Sequence, residues 1–118
     1  MLCLFNANKY DEDFGPGEAA KRFNDDISRW NVDRVESMNS LFCECESFNQ
    51  DLSGWNAEKC ETMERMFAGA KSFNQDLTGW NVERVEDMAY MLIGAEEFDS
   101  DNIKNWDLGG RGGVFGYV

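Results

Sequence analysis

The sequence predicts a right-handed α/β solenoid of about three to four coils, and two observations lead to that prediction. First, a nine-residue stretch recurs every 25 residues, as FNDDISRWN from Phe23, FNQDLSGWN from Phe48 and FNQDLTGWN from Phe73. Second, the rest of each unit places apolar residues at helical spacing. A unit this short cannot bury its apolar side alone. We therefore expect successive units to stack as coils that cover one another.

The repeat divides the chain into three parts. An N-terminal partial repeat and capping segment spans 1–22, a repeat solenoid spans 23–108, and a C-terminal tail or cap spans 109–118. The solenoid comprises unit one (23–47), unit two (48–72), unit three (73–97) and a partial unit four (98–108). Because terminal repeats need covering, the apolar tail Val114–Val118 is expected to close the C-terminal end.

The second half of each unit is predicted to form a short amphipathic helix. Its apolar stripe in unit three consists of Val85, Met88, Met91, Leu92 and Ala95. In unit one, Asp33 and Glu36 have the spacing of a capping box at the helix start. Gly69 and Gly94 stand where the helices of units two and three would end.

The first half of each unit has no helical period and is predicted to contain one short extended piece. The proposed segments are Trp30–Val32, Trp55–Ala57 and Trp80–Val82, with the pair Asp51–Leu52 as a second candidate. Stacking of the coils would pair these segments in parallel.

The repeated pattern F-N-x-D-L-S-x-W-N-V-x-x-V-x-x-M-x-x-M-F-x-G-A, which covers Phe23 to Leu108, resembles a known family. It is similar to the BspA-like repeat of mycoplasma lipoproteins, bacterial surface proteins and algal proteins, which is grouped with leucine-rich repeats. The resemblance implies leucine-rich-repeat-like coils and a surface, adhesion or protein-interaction role, with no catalytic residues to transfer. The family often has Ser, Thr and Asn at the helix start, where this chain has DRVE, EKCE and ERVE.

Composition excludes several function classes. The formal net charge is −12 over 118 residues, which disfavours nucleic acid and anionic membrane surfaces as partners. No apolar run reaches the length of a transmembrane helix, so no transmembrane segment is expected. The chain has no histidine and no recognisable triad, metal set or phosphate loop, so we expect neither an enzyme nor a cofactor.

An aspartate ladder leaves two interpretations open. Asp26, Asp51, Asp76 and Asp101 hold equivalent places in successive units, where like charges would face one another. Each carboxylate could accept N–H groups of the Ser-Gly turn that follows it, or the ladder could bind calcium, which prefers several oxygen ligands.

The predicted core includes Cys45, Cys60, the methionines of the repeats and the tryptophans. Cys45 and Cys60 replace small apolar residues of other units, which favours free thiols over a disulfide framework. The tryptophans Trp30, Trp55, Trp80 and Trp106 are expected to stack in one column. A half-exposed column would instead suit a glycan or a protein hot spot.

The sequence predicts a non-enzymatic protein-interaction module whose acidic face binds a basic protein surface. The candidate partner-binding residues open the predicted helices and are Asp33, Glu36, Glu58, Glu61, Glu83 and Glu86. Two alternatives stay open: a structural subunit of a larger assembly, and a calcium-dependent or glycan-binding adhesion domain.

Overall fold

The computed structural model describes residues 10–11, 15–16, 18–108 and 113–114. Strands β1 (Tyr10–Asp11) and β2 (Gly15–Pro16) form an antiparallel pair ahead of the repeats, with Tyr10 opposite Pro16. They are followed by helix α1 (Glu18–Arg22). A 3-10 helix, Ser100–Ile103, lies in unit four, and the Asp99 side chain caps it by accepting the N–H of Asp101.

The prediction of an α/β solenoid is wrong. Units one to three, all of which the structure describes, contain neither a helix nor a strand. The segments Trp30–Val32, Trp55–Ala57 and Trp80–Val82, as well as Asp51–Leu52, are not strands. The predicted coil of one short helix plus one extended piece is therefore replaced by successive turns whose backbone bonds to neighbouring units.

The hydrogen bonds of the second half of unit two show why no helix forms there. The N–H groups of Met63, Arg65, Phe67 and Gly69 donate to carbonyls of unit three over 2.8–3.0 Å. The N–H groups between them, such as those of Met66 and Ala68, donate to the carbonyl three residues back. An α-helix would send every N–H four residues back along its own chain. Half of the donors are thus used to join units, and an α-helix is impossible.

Left-handed residues make this alternation possible. Arg65 and Gly69 have φ values of 58° and 73°. Equivalent residues in the flanking units are also left-handed, namely Ser40, Glu44, Tyr90 and Gly94. Gly69 and Gly94 thus serve a left-handed turn, as glycine readily does, but they do not end helices as predicted.

The distance between units also excludes stacked helices. The ring centroids of Phe23 and Phe48 lie 5.6 Å apart, and those of Phe48 and Phe73 lie 5.8 Å apart. Packed helix axes need roughly 8–10 Å, whereas hydrogen-bonded backbones need only about 4.8 Å. Units that repeat at this spacing must therefore be joined through their backbones.

Parallel backbone pairing occurs where the helices were predicted to begin. Isolated parallel bridges join Ser37 to Thr62 and Thr62 to Asp87. The capping box predicted for Asp33 and Glu36 is consequently wrong, because no helix begins there.

Burial follows the sequence prediction although the helix does not exist. In unit two the stripe Cys60, Met63, Met66, Phe67 and Ala70 is fully buried, and the methionines of units one and three are buried too. In the first half of unit two, Phe48, Leu52 and Trp55 are buried as well, the last as predicted.

Tryptophan side chains join units in the first half of the repeat. The rings of Trp55, Trp80 and Trp106 stack with centroids 6.4 and 6.2 Å apart. Each indole N–H also donates to a carbonyl of the preceding unit, those of Ile27, Leu52 and Leu77 respectively, over 2.9–3.0 Å. The predicted column is thus observed for three tryptophans. The fourth, Trp30, is 44% exposed.

The described part of the C-terminal tail packs on unit three. The N–H groups of Tyr90 and Leu92 donate to the carbonyls of Gly113 and Val114 over 2.7 and 2.8 Å. Val114 is buried in the core. Residues 115–118 of the predicted cap lie outside the described residues, as does Cys3.

The left-handed turn generates a stability prediction at Glu44. Glu44 has φ 63° where units two and three have glycine, and a left-handed backbone costs a non-glycine residue about 1–2 kcal/mol. Glu44→Gly should therefore raise the free energy of unfolding, by about 0.5–1 kcal/mol after the extra entropy of the unfolded glycine is subtracted.

Urea unfolding of the wild type and the variant measures this change. Gly94→Ala is the matched control, because it places a side chain at φ 76° and should destabilise. A destabilised Glu44→Gly variant would contradict the assignment of strain to this turn.

Candidate interaction surface

All six predicted partner-binding residues are exposed to solvent. They form two sets that recur at the repeat period: Asp33, Glu58 and Glu83, and Glu36, Glu61 and Glu86. We call these six residues the acidic row.

The glutamates of the second set lie on adjacent backbones. The N–H of Glu61 donates to the carbonyl of Glu36, and that of Glu86 donates to the carbonyl of Glu61, each over 2.7 Å. They flank the parallel bridges at Ser37, Thr62 and Asp87. The structure therefore brings Glu36, Glu61 and Glu86 together as a column across three units.

The residues of the first set are held by asparagine turns. The Asn31, Asn56 and Asn81 side-chain carbonyls accept the N–H groups two residues later, those of Asp33, Glu58 and Glu83, over 2.9, 3.1 and 3.0 Å. An asparagine that bonds its own backbone in this way stabilises a turn. The same turn in each unit gives the acidic side chains equivalent places.

Basic residues lie between the members of the acidic row, and a groove lies at one end of it. Arg34, Lys59 and Arg84, one per unit, are exposed between the acidic residues. An open groove of about 490 Å³ lies between units three and four, and its lining residues include Glu83, Asp107, Trp80 and Trp106. The row thus ends beside a recess that combines aromatic and carboxylate groups.

The aspartate ladder forms turns in units one to three. Oδ1 of Asp26, Asp51 and Asp76 accepts the N–H of Ser28, Ser53 and Thr78 over 2.9, 2.8 and 2.9 Å. The fourth member, Asp101, lies instead in the 3-10 helix of unit four.

These turns lower the pKa of the three carboxyl groups. The backbone N–H and then the hydroxyl of Ser28 lower the pKa of Asp26, and those of Ser53 do the same for Asp51. For Asp76, the Thr78 hydroxyl, which donates over 2.7 Å, lowers the pKa most. Repulsion from the neighbouring aspartates opposes the effect at Asp51, so the ladder charges do interact.

Metal ligation and thiol chemistry gain no geometric support in the described part of the chain. Among these residues, no group of three or more cysteine, aspartate or glutamate side chains could hold a metal ion. The described cysteines, Cys43, Cys45 and Cys60, form no disulfide with one another. Cys45 and Cys60 are buried in the core, as predicted, and Cys43 is partly exposed. Burial raises the pKa of Cys60, which makes its thiol less reactive.

Sequence reasoning missed one exposed cluster. Tyr90 and Ile93 are 37% and 40% exposed, and the Arg65 guanidinium lies 4.7 Å from the centroid of the Tyr90 ring. Comparison of the three units could have indicated that Tyr90 is exposed, because it occupies the position of the polar residues Ser40 and Arg65.

Comparison with known proteins identifies one family. The family model described as "Mycoplasma protein of unknown function, DUF285" matches residues 17–109, well over half of the chain. This family is related to the BspA-like mycoplasma repeats, and the match supports the resemblance at that coarser level. No curated protein and no solved structure matches the chain. Within the described residues, no helix is long and apolar enough to cross a membrane.

The aspartate turns predict an acid-sensitive contribution to stability. The folded-state pKa of Asp51 is lowered, so its contribution is fully present above the ordinary value near 3.9 and is lost as the pH falls through the folded-state pKa. Asp51→Asn keeps an oxygen that can accept the N–H of Ser53 but removes the titration.

The free energy of unfolding in urea is measured for the wild type and Asp51→Asn at closely spaced pH values between pH 6 and pH 2. The variant should be slightly less stable than the wild type near neutral pH, because its bond to the Ser53 N–H is not charge-assisted, and it should lose less stability below about pH 4, so that the two proteins converge. Equal losses in both proteins would show that this turn does not couple folding to protonation.

Proposed function

Since the chain belongs to the DUF285 family of mycoplasma proteins of unknown function, we propose that it is a BspA-like member and a non-enzymatic protein-interaction module. Its binding surface is the acidic row, and its partner is a protein with a basic surface. One observation carries this proposal: six acidic side chains recur, exposed, at equivalent places of three successive units.

Backbone geometry supports a preorganised surface. Glu36, Glu61 and Glu86 lie on backbones that bond to one another over 2.7 Å, so their spacing is fixed before any partner arrives. A binder that is ordered in advance loses less conformational entropy on association. The asparagine turns fix the other three members in the same manner.

Charge supports a basic partner. The row brings six carboxylates together with three interleaved cations, and the whole chain has a formal net charge of −12. Charges of this kind mainly raise the association rate and its sensitivity to salt. The groove beside Glu83 gives a partner a recess at the end of the row, with Glu83 and Asp107 among its lining residues.

The test begins with a partner isolated from the native source by affinity purification on the full chain. We expect the double substitution Glu61→Gln and Glu86→Gln to lower the association rate by about threefold to tenfold at low salt and to flatten its salt dependence. Folding should be unaffected because both side chains are exposed.

Stopped-flow association at two ionic strengths provides the measurement. The matched control is Glu96→Gln with Glu97→Gln, which removes the same charge from two other exposed positions. If both double variants slow association equally, net charge alone steers the partner. If neither does, the acidic row is only a solvated face, and the proposal fails.

A further inference from the structure

One column of surface side chains changes the sign of its charge at every step along the stack. Its members stand 25 residues apart and are Lys21, Glu46, Lys71 and Glu96. The carbonyl of each of the first three accepts the N–H of the residue that follows the next member, over 3.1–3.2 Å. Consecutive members therefore lie on adjacent backbones. We call these four residues the alternating column.

One contact within the alternating column is an ion pair between units one and two. Nζ of Lys71 lies 3.8 Å from Oε1 of Glu46. Both side chains remain partly exposed, so the pair contributes little to the stability of the folded chain. Its sign matters more when a unit must choose between two stacking partners that are otherwise equivalent.

The other contacts between units do not distinguish one unit from another. The backbone bonds use main-chain groups that every unit has, and the phenylalanine and tryptophan columns recur from unit to unit. Both sets of the acidic row stay negative throughout, and the basic residues between them stay positive. These columns repel sequential and non-sequential neighbours alike. Chain connectivity adds limited discrimination, because the entropy cost of closing a loop grows slowly with its length.

We propose that the alternating column selects the order in which the units stack during folding. Sequential units bring opposite charges together in this column, as Glu46 and Lys71 do. Units two apart would bring like charges together, because Glu46 would face Glu96. Like charges directly opposite one another on paired backbones are destabilising. The column thus disfavours a skipped stack, in which unit one lies on unit three and unit two is left out.

A skipped stack is a misassembly that the rest of the repeat permits. Repeat proteins are prone to incorrect assembly of their units. Units one and three both bury methionines at the same positions, Met38 and Met88 among them, so apolar burial does not reject their contact. The charges act while unit two is not yet in place. This inference concerns folding and does not rest on the proposed binding of a basic protein.

An exchange of two charges within the column provides the test. Glu46→Lys with Lys71→Glu keeps the net charge and the opposite signs of that pair. It gives positions 71 and 96 the same sign, which weakens the sequential stack, and positions 46 and 96 opposite signs, which favours the skipped one. Because two exposed charge pairs are reversed, the skipped stack should gain about tenfold relative to the sequential stack during refolding.

Pulse-labelled amide exchange during refolding from urea measures the two stacks. The N–H groups of Phe42 and Glu44 donate to unit two, and those of Phe67 and Gly69 donate to unit three. In a skipped stack, unit three would accept from Phe42 and Glu44, while Phe67 and Gly69 would lose their acceptors. Mass spectrometry of peptides from the two segments should then find the first protected and the second exchanged. A mere loss of stability would expose both segments together.

Inversion of the whole column is the matched control. The exchange variant is combined with Lys21→Glu and Glu96→Lys, which restores alternation with every sign inverted and leaves the net charge unchanged. This inverted variant carries more substitutions than the exchange variant. It should nevertheless refold like the wild type, because every pair of sequential neighbours again has opposite charges.

Three results would overturn the proposal. The first is protection of both segments together in the exchange variant, as in the wild type. The second is a skipped population in the inverted variant as large as in the exchange variant. The third is failure of both variants to refold, since the residues themselves and not the alternation would then be required. Failure of the exchange variant alone, with normal refolding of the inverted one, would support the proposal.

Discussion

Backbone hydrogen bonds between successive units are the interaction on which the rest of this structure depends. They hold units about one strand spacing apart, which is too close for packed helices. In the second half of a unit, every second N–H donates to a carbonyl of the next unit. The backbone therefore includes left-handed residues between its right-handed ones. The phenylalanine and tryptophan columns then stack at distances that aromatic rings favour.

The sequence predicted which side chains are buried but not the backbone that buries them. Val85, Met88 and Met91 are spaced by three residues, and a chain of three-residue turns presents the same side chains inward as one helical face. Spacing alone cannot distinguish the two backbones. The left-handed conformation of Ser40, Arg65 and Tyr90 could not be recognised either, because none of these residue types favours it.

The turns that a side chain closes were more predictable, because their hydrogen bonds join residues that are close in sequence. Asp26, Asp51 and Asp76 bond to groups two residues away, as the turn interpretation of the ladder expected. The exposure of the acidic row was also predictable from its polar positions.

Amide hydrogen exchange tests the central claim most directly. If the bonds between units hold the fold, the N–H groups of Met63, Phe67 and Gly69 will exchange only through global unfolding, although they belong to neither a helix nor a strand. Their protection should then match the free energy of unfolding from urea titration. Exchange of these amides at the rate of open turns, in a chain that is otherwise folded, would contradict the account.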